Sequence, residues 1–325
     1  MNAGQVTYVE ALRLTLREAM QRDDRVLVLG EDVGLGGGAF RATAGLQAEF
    51  GPERVIDTPI CEAAFTGMAV GMAMDGLLPV VEYQFSDFLT NGMNAIVNTA
   101  AKMHFRHQVA VPLVIRAPAA GGFSGGPFHS QNPEAWFLRT PGLKIACPAT
   151  SEDAASLLAA AIRDPNPVMF FEQKSLYTRI KGEFCFDERS LLQDAVVSRV
   201  GRDITVVSYG AAVHLAIDAA EVLAADGIDC EVIDLRVLCP LDFAAVAASL
   251  EKTSRCLVLH EDYPDYGVGA EIAARIVEHC FEHLDAPVRR VGAEFWPIPF
   301  SPPLEASTLP SLAKVVDAIR DTASY

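Results

Sequence analysis

A glutamate and a histidine, each set in a stretch of small residues, are the side chains of this sequence best suited to moving protons. Glu62 lies in DTPICEAAFTGMAVGMAMDG (57–76), after the turn Asp57-Thr58-Pro59 and at the head of a run of helical length. A carboxylate there is either a cap favoured by the helix dipole or a buried acid with a chemical task. Ala63, Ala64, Gly67, Ala69 and Gly71 keep the run thin enough for a ligand or another backbone to approach closely. His129 lies in AAGGFSGGPFHSQ (119–131), just after the apolar segment VPLVIRA (111–117). A glycine-rich loop at the carboxyl end of such a strand is where α/β folds bind ligands, and an imidazole there can exchange a proton near neutral pH. The plainer alternative is a loop histidine bonded to backbone. A third stretch, GEDVGLGGGAF (30–40), resembles a phosphate loop. It lacks both the G-K-[ST] of a nucleotide cradle and a G-x-G-x-x-G opening a helix, so a flexible loop after a strand is the simpler reading.

The elements that must position these groups alternate along the chain. Thr7 and Glu10 form a capping box that opens a helix to about Met20. Strand-like runs follow at 25–30, 77–85, 111–117, 143–149 and 167–173, with helical segments at 65–76, at 91–106 and from a cap at Ser151. Nearly continuous apolar strands alternating with helices predict an α/β fold with a parallel sheet covered on both faces. Periodicity fades between Lys174 and about Arg202, which reads as a linker. Alternation then resumes with strands at 204–210, 230–238, 255–262 and 287–293 and helices at 211–226, from Asp242 and at 269–284, a second α/β domain. No fixed-period repeat appears.

Composition narrows the classes. The chain has 325 residues, half of them apolar and 21% charged, with no low-complexity tract, which excludes a disordered protein. Its length carries a prior of about two domains. A formal charge of −16 argues against nucleic acid or an anionic membrane as partner. No apolar run reaches the roughly 18 residues of a membrane span, and the N-terminus lacks a signal-peptide pattern, so a soluble cytoplasmic protein is expected. Seven cysteines without a C-x-x-C pair read as reduced thiols. His104 and His107 are three apart but lack further ligands nearby, and read as surface residues of a helix.

The three glycine- and alanine-rich stretches occur together with further motifs: LGEDVG (29–34), RVIDTPICEAAFTGMAVGMAMDGLLPVVE (54–82), QFSDF (84–88), FHSQNPEAWF (128–137), PGLKIACPAT (141–150), AIRDPNPVMFFE (161–172), HEDYPDYGVGAE (260–271) and IPFSPPLE (298–305). In this collinear set the chain resembles, over nearly its whole length, the beta subunit of the thiamine-diphosphate-dependent first component of 2-oxo acid dehydrogenase complexes. That family includes the pyruvate, branched-chain 2-oxo acid and acetoin enzymes. The resemblance implies a pyrimidine-type thiamine-diphosphate domain over 1–185, a linker over 186–199 and a transketolase C-terminal-type domain over 200–325.

Roles follow from the same resemblance. Glu62 matches the glutamate that hydrogen-bonds the aminopyrimidine ring of the cofactor; a protonated ring nitrogen favours the imino tautomer, which takes the thiazolium proton. Glu31 matches a second acid in a polar path linking two active sites. Phe88 matches the aromatic residue that stacks on the aminopyrimidine, with Gln84 beside it; branched-chain relatives with tyrosine at the Phe88 position have a hydroxyl that is absent here. His129 matches the histidine that assists acyl transfer to lipoamide. Leu113, Ala161, Ile162, Asp164 and Asn166 match positions that hold potassium, largely through main-chain oxygens. The G-D-G and later asparagines that anchor Mg²⁺ and diphosphate are missing, and MDG (74–76) does not supply them. The resemblance accounts for this by an alpha subunit that holds Mg²⁺, so the chain alone is expected to be inert. Implied partners are an alpha subunit and a second beta subunit, in a heterotetramer of two alpha and two beta chains, and a lipoyl acyltransferase core. Cys61 stands where many relatives have serine or alanine, and DYGVGAE (265–271) lacks the paired glycines common before G-A-E. Pro127-Phe128 is closer to the branched-chain enzymes. His260-Glu261-Asp262 reads as a structural turn or interface. Two other functions fit the fold: a transketolase-like carbon–carbon ligase subunit and a non-catalytic assembly subunit.

Overall fold

The computed structural model describes residues 5–187 and 192–325, which form two compact units. One comprises the chain up to Ala119 together with Trp136–Leu192, the other Ala120–Ala135 together with Gln193–Tyr325. The His129 loop therefore groups with the C-terminal part of the chain, although its sequence position lies within 1–185. No helix among the described residues is long and apolar enough to cross a membrane.

The first unit is built on parallel strands in the order Lys144–Ala146, Val168–Gln173, Val114–Ala119, Leu78–Glu82, Val26–Gly30 and Val55–Asp57. Apart from the edge strand Val55–Asp57, of which only Val55 is buried, their near-continuous apolar runs are largely buried, as a sheet covered on both faces requires. The N-terminal helix Tyr8–Arg22 starts at the expected capping box: the Thr7 amide donates to Glu10 Oε2 at 2.8 Å, and the Glu10 amide to Thr7 Oγ1 at 3.3 Å. Its stripe of Leu12, Leu16 and Met20 is fully buried, worth about 1.5–3 kcal/mol per side chain. The helix Ser151–Arg163 is capped one residue earlier than expected, by Thr150, whose hydroxyl accepts from the Asp153 amide. The stretch expected as one helix over 91–106 is α-helical at Leu89–Asn94, widens to a π-helix at Ala95–Ala100 and returns to α-helix at Ala101–His107.

The second unit carries a five-stranded sheet in the order Arg289–Val291, Cys256–Leu259, Ile204–Ser208, Cys230–Asp234 and Val196–Arg199. All neighbours are parallel except the last strand, which pairs antiparallel with Cys230–Asp234. That edge strand falls inside the stretch 186–199 expected to be linker; residues 188–191 of it lie outside the described residues. Helices Ala211–Ala224, Phe243–Thr253, capped by Asp242, and Val268–Cys280 follow the expected alternation. The helices Pro302–Thr308 and Leu312–Ala323 were not foreseen.

Candidate functional site

Sheet topology singles out one edge of the first unit. The chain runs from Val26–Gly30 to Val55–Asp57 on one side, then returns to place Leu78–Glu82 on the other side of Val26–Gly30. Such a reversal opens a crevice at the carboxyl ends of the strands. Glu31 and Asp32 follow one of these strands, Gln84 to Phe88 follow its neighbour, and Glu62 begins the helix Glu62–Met74 after the third. The sequence thus delivers Glu31, Glu62, Gln84 and Phe88 to one sheet edge from three separate loops.

Glu62 is buried as the first residue of its helix, where the dipole favours a carboxylate. The N-cap position belongs to Cys61, an exposed free thiol that makes no capping bond. Glu31 is 5% exposed, and its buried Oε1 has no hydrogen-bond partner among the described residues. Burial pushes its carboxyl above the ordinary carboxylate value, and the nearby charges of Glu62 and Asp32 push it further. The negative charge of a neighbouring acid makes a buried carboxyl such as that of Glu31 hold its proton more tightly. Tyr83 backs this pair: its hydroxyl shares a 2.5 Å hydrogen bond with Thr66 Oγ1, one turn along from Glu62. Gln84 Nε2 donates to Asp32 Oδ2 at 3.0 Å, joining two of the loops. Phe88 is half-buried and packs edge-on against Phe85 at 5.9 Å between centroids, and Phe85 packs edge-on against Phe40.

The glycine stretch 30–40 is a folded fastening rather than a loose loop. The Gly34 amide donates to Asp57 Oδ1 at 2.6 Å, and the Gly38 amide to the Asp32 carbonyl at 2.8 Å. A Cβ on Gly30 would lie 2.3 Å from the Glu82 carbonyl oxygen, and one on Gly38 would lie 2.1 Å from Glu82 Oε1. Beneath it lies a charge cluster that sequence reading missed. Arg116 is fully buried and bonds Glu82 at 2.5 Å and Glu172 at 2.7 and 2.8 Å, while the Tyr177 hydroxyl donates to Glu172 at 2.7 Å. The signal was present: an arginine and a glutamate inside otherwise apolar strands must find partners.

The cation positions are also gathered locally. The Leu113 carbonyl accepts from the Val168 amide at 2.8 Å, and the Ala161 carbonyl from the Asp164 amide at 3.2 Å. The Asp164 carboxylate is engaged by the Lys144 ammonium and by the Asn166 amide. Oxygen ligands for a monovalent ion would thus come chiefly from second lone pairs of main-chain carbonyls beside Ile162 and Asn166. Among the described residues, no group of three or more His, Cys, Asp or Glu side chains could hold a metal ion. His104 and His107 are exposed on their helix, as expected.

In the second unit, His129 is half-buried on the loop that precedes the helix Glu134–Leu138. Its amide donates to the Gly126 carbonyl at 3.2 Å, and the Ala120 amide to the Gln131 carbonyl at 3.0 Å, closing the loop. Glu261 and Glu305, both buried, accept hydrogen bonds from the loop's first residues. The sequence reads Glu261 as part of a structural turn or interface and gives Glu305 no role.

Comparison with known proteins adds an independent line. Residues 4–179 match the family described as transketolase, pyrimidine binding domain, and residues 193–315 the one described as transketolase, C-terminal domain. The chain is 45% identical over 324 residues to the 2-oxoisovalerate dehydrogenase subunit beta of Bacillus subtilis (strain 168), covering 98% of this chain and 99% of that protein. It is 42% identical over 328 residues to the pyruvate dehydrogenase E1 component subunit beta of Rickettsia felis, covering 99% of each. Among solved structures, a split gene transketolase described as an inactive beta4 tetramer superposes with a TM-score of 0.80, at 22% identity and 99% coverage of both chains. At that identity the likeness concerns the fold.

Proposed function

This chain belongs to the beta subunits of the first component of 2-oxo acid dehydrogenase complexes, and from that premise we propose which of its residues do the chemistry. The activity is oxidative decarboxylation of a 2-oxo acid with reductive acylation of lipoamide, exercised together with an alpha subunit. The observation that carries the assignment of residues is the buried acid pair, Glu31 and Glu62, at the strand ends where the sheet order reverses.

Those residues fit the pyrimidine half of thiamine diphosphate: an acid for the ring nitrogen, an aromatic face at Phe88 and an amide at Gln84. When bound, the cofactor would supply a nucleophilic carbon and an electron sink for the decarboxylation. Glu62 holds a proton on the pyrimidine nitrogen. Glu31, whose carboxyl is raised above its ordinary value by burial and by the charges of Glu62 and Asp32, is the second acid of the same buried cluster. Phe88 would orient the ring; it packs on Phe85, which packs in turn on Phe40. His129 delivers a proton to the departing lipoamide sulfur as the S–S bond opens. Mg²⁺ and the diphosphate belong to the alpha subunit, and potassium to the carbonyls of Leu113, Ala161 and Ile162 with Asp164 and Asn166. The assembly is a heterotetramer of two alpha and two beta chains that serves a lipoyl acyltransferase core. The likeness to a transketolase half carries the fold alone, so it lends no weight to a carbon–carbon ligase.

The test is reconstitution with the cognate alpha subunit, followed by assay of branched-chain 2-oxo acids and pyruvate with a lipoyl domain. Carbon dioxide release coupled to acylation of the lipoyl domain is the expected result. Aldehyde condensation without lipoyl acylation would overturn the assignment in favour of the ligase.

A further inference from the structure

The loop that carries His129 is closed by its own backbone bonds, yet part of it is strained. Ala120 and Ser124 adopt left-handed backbone, with φ of +72° and +60°, and Gly122 and Gly126 do so at +80° and +72°. L-residues resist that region and glycines are free to leave it, so the conformation needs an outside constraint. Two buried carboxylates supply one. The Gly121 amide donates to Glu261 Oε1 at 2.7 Å. The Gly122 amide donates to Glu305 Oε1 at 2.9 Å, and the Ser124 amide and hydroxyl donate to Glu305 Oε2 at 2.9 and 3.0 Å. Hydrogen bonds to a carboxylate are the strong kind, and here they fix the peptide planes at Gly121, Gly122 and Ser124.

The constraint extends to the histidine. A Cβ on Gly125 would lie 2.2 Å from the Phe123 ring and 3.0 Å from His129 Cβ, so the root of the imidazole rests on bare backbone. The Phe300 ring fills the space a Cβ would need at Gly126, 2.5 Å away, and Phe300 lies five residues before Glu305. One segment, 300–305, thus grips the loop at Ser124 through charge and at Gly126 through packing.

We propose that Glu305, assisted by Glu261, is a positioning residue for His129: its carboxylate holds the strained loop 120–131 so that the imidazole is presented for acyl transfer. This rests on the reading of His129 as the acyl-transfer residue.

The experiment uses the reconstituted complex with Glu305→Gln, Ser124→Ala, His129→Ala and the double variant Glu305→Gln/His129→Ala. The amide of glutamine keeps one acceptor oxygen but turns a donor toward the loop's N–H groups. Amide hydrogen exchange over 121–131 should accelerate in Glu305→Gln. Acyl transfer to a lipoyl domain should fall on the order of 10- to 100-fold, as expected when a reacting group is misplaced by about 1 Å. Decarboxylation with an artificial electron acceptor should fall much less. Because Glu305 acts through His129, the double variant should transfer acyl groups no more slowly than His129→Ala alone. Ser124→Ala removes one hydroxyl bond and leaves the carboxylate in place, so it should show the same bias toward the transfer step, more weakly, even if Glu305→Gln folds poorly. Unchanged exchange over 121–131, equal loss in both half-reactions, or full additivity in the double variant would each overturn the proposal. A His129→Ala variant that transfers normally would instead overturn the reading of His129, and the proposal with it.

Discussion

Glu62 and Glu31 lie close enough for their charges to interact, yet their tasks differ, and substitution separates them. Glu62→Gln cannot keep a ring nitrogen protonated, so decarboxylation by the reconstituted complex should fall by about 10²-fold or more. Its sedimentation should remain that of the assembled complex. Activity within a few-fold of the parent would reduce Glu62 to a residue that only favours the helix dipole. Glu31 is better tested through stability. Burial and the neighbouring acids raise its carboxyl, so the folded chain holds a proton that the unfolded chain has released over the window between the ordinary and the raised value. Stability contributed by that proton is present below the ordinary carboxylate value and is lost as pH rises through the raised one. Glu31→Gln, which does not titrate, should therefore raise the urea midpoint of the isolated chain at pH 7. The gain should vanish near pH 4. A gain of equal size at both pH values would show that the charge of Glu31 is not the source of the cost.

At the scale of elements, the stretch 30–40 decides whether the acid pair is held. Its glycines are demanded by close approach rather than by flexibility, most clearly at Gly38, where φ is +78° and Glu82 occupies the position of a side chain. Gly38→Ala would combine left-handed strain with intrusion into the Arg116–Glu82 pair. A loss of about 2–4 kcal/mol is expected from the sum of those effects, measured by denaturant unfolding. A change below about 0.5 kcal/mol, the range of ordinary surface substitutions, would mean the loop is pliable after all. The buried Arg116 also explains why the strands of this unit read as apolar yet carry charge. Its bonds tie Leu78–Glu82, Val114–Ala119 and Val168–Gln173 together beneath the loops that carry Glu31 and Gln84.

For the whole molecule, the missing diphosphate anchor outweighs any single contact. The first unit offers acids and aromatic rings for a pyrimidine, and the sequence has no G-D-G with following asparagines for Mg²⁺. Calorimetry on the isolated chain with thiamine diphosphate and Mg²⁺ should show weak binding or none, and addition of the alpha subunit should restore tight binding. Tight binding by the chain alone would refute the split site. A charge of −16 argues against nonspecific attraction to nucleic acid, so assembly with the alpha subunit should withstand added DNA.

The alternation of strands and helices, the capping box at Thr7, the helix start at Glu62 and the family were legible without any structure, because periodicity, caps and collinear motifs are local in the chain. The sequence also marked Glu31, Glu62, Gln84 and Phe88, but not that three loops bring them to one sheet edge; that depends on strand order, which pairs residues far apart in sequence. Tertiary structure alone decided the partners of Arg116, since a lone charge in an apolar strand announces a need without naming what meets it. It likewise decided that the His129 loop groups with the C-terminal unit and leans on Glu261 and Glu305. Those carboxylates lie about 140 and 180 residues downstream of the amides they hold, a separation over which no local pattern carries information.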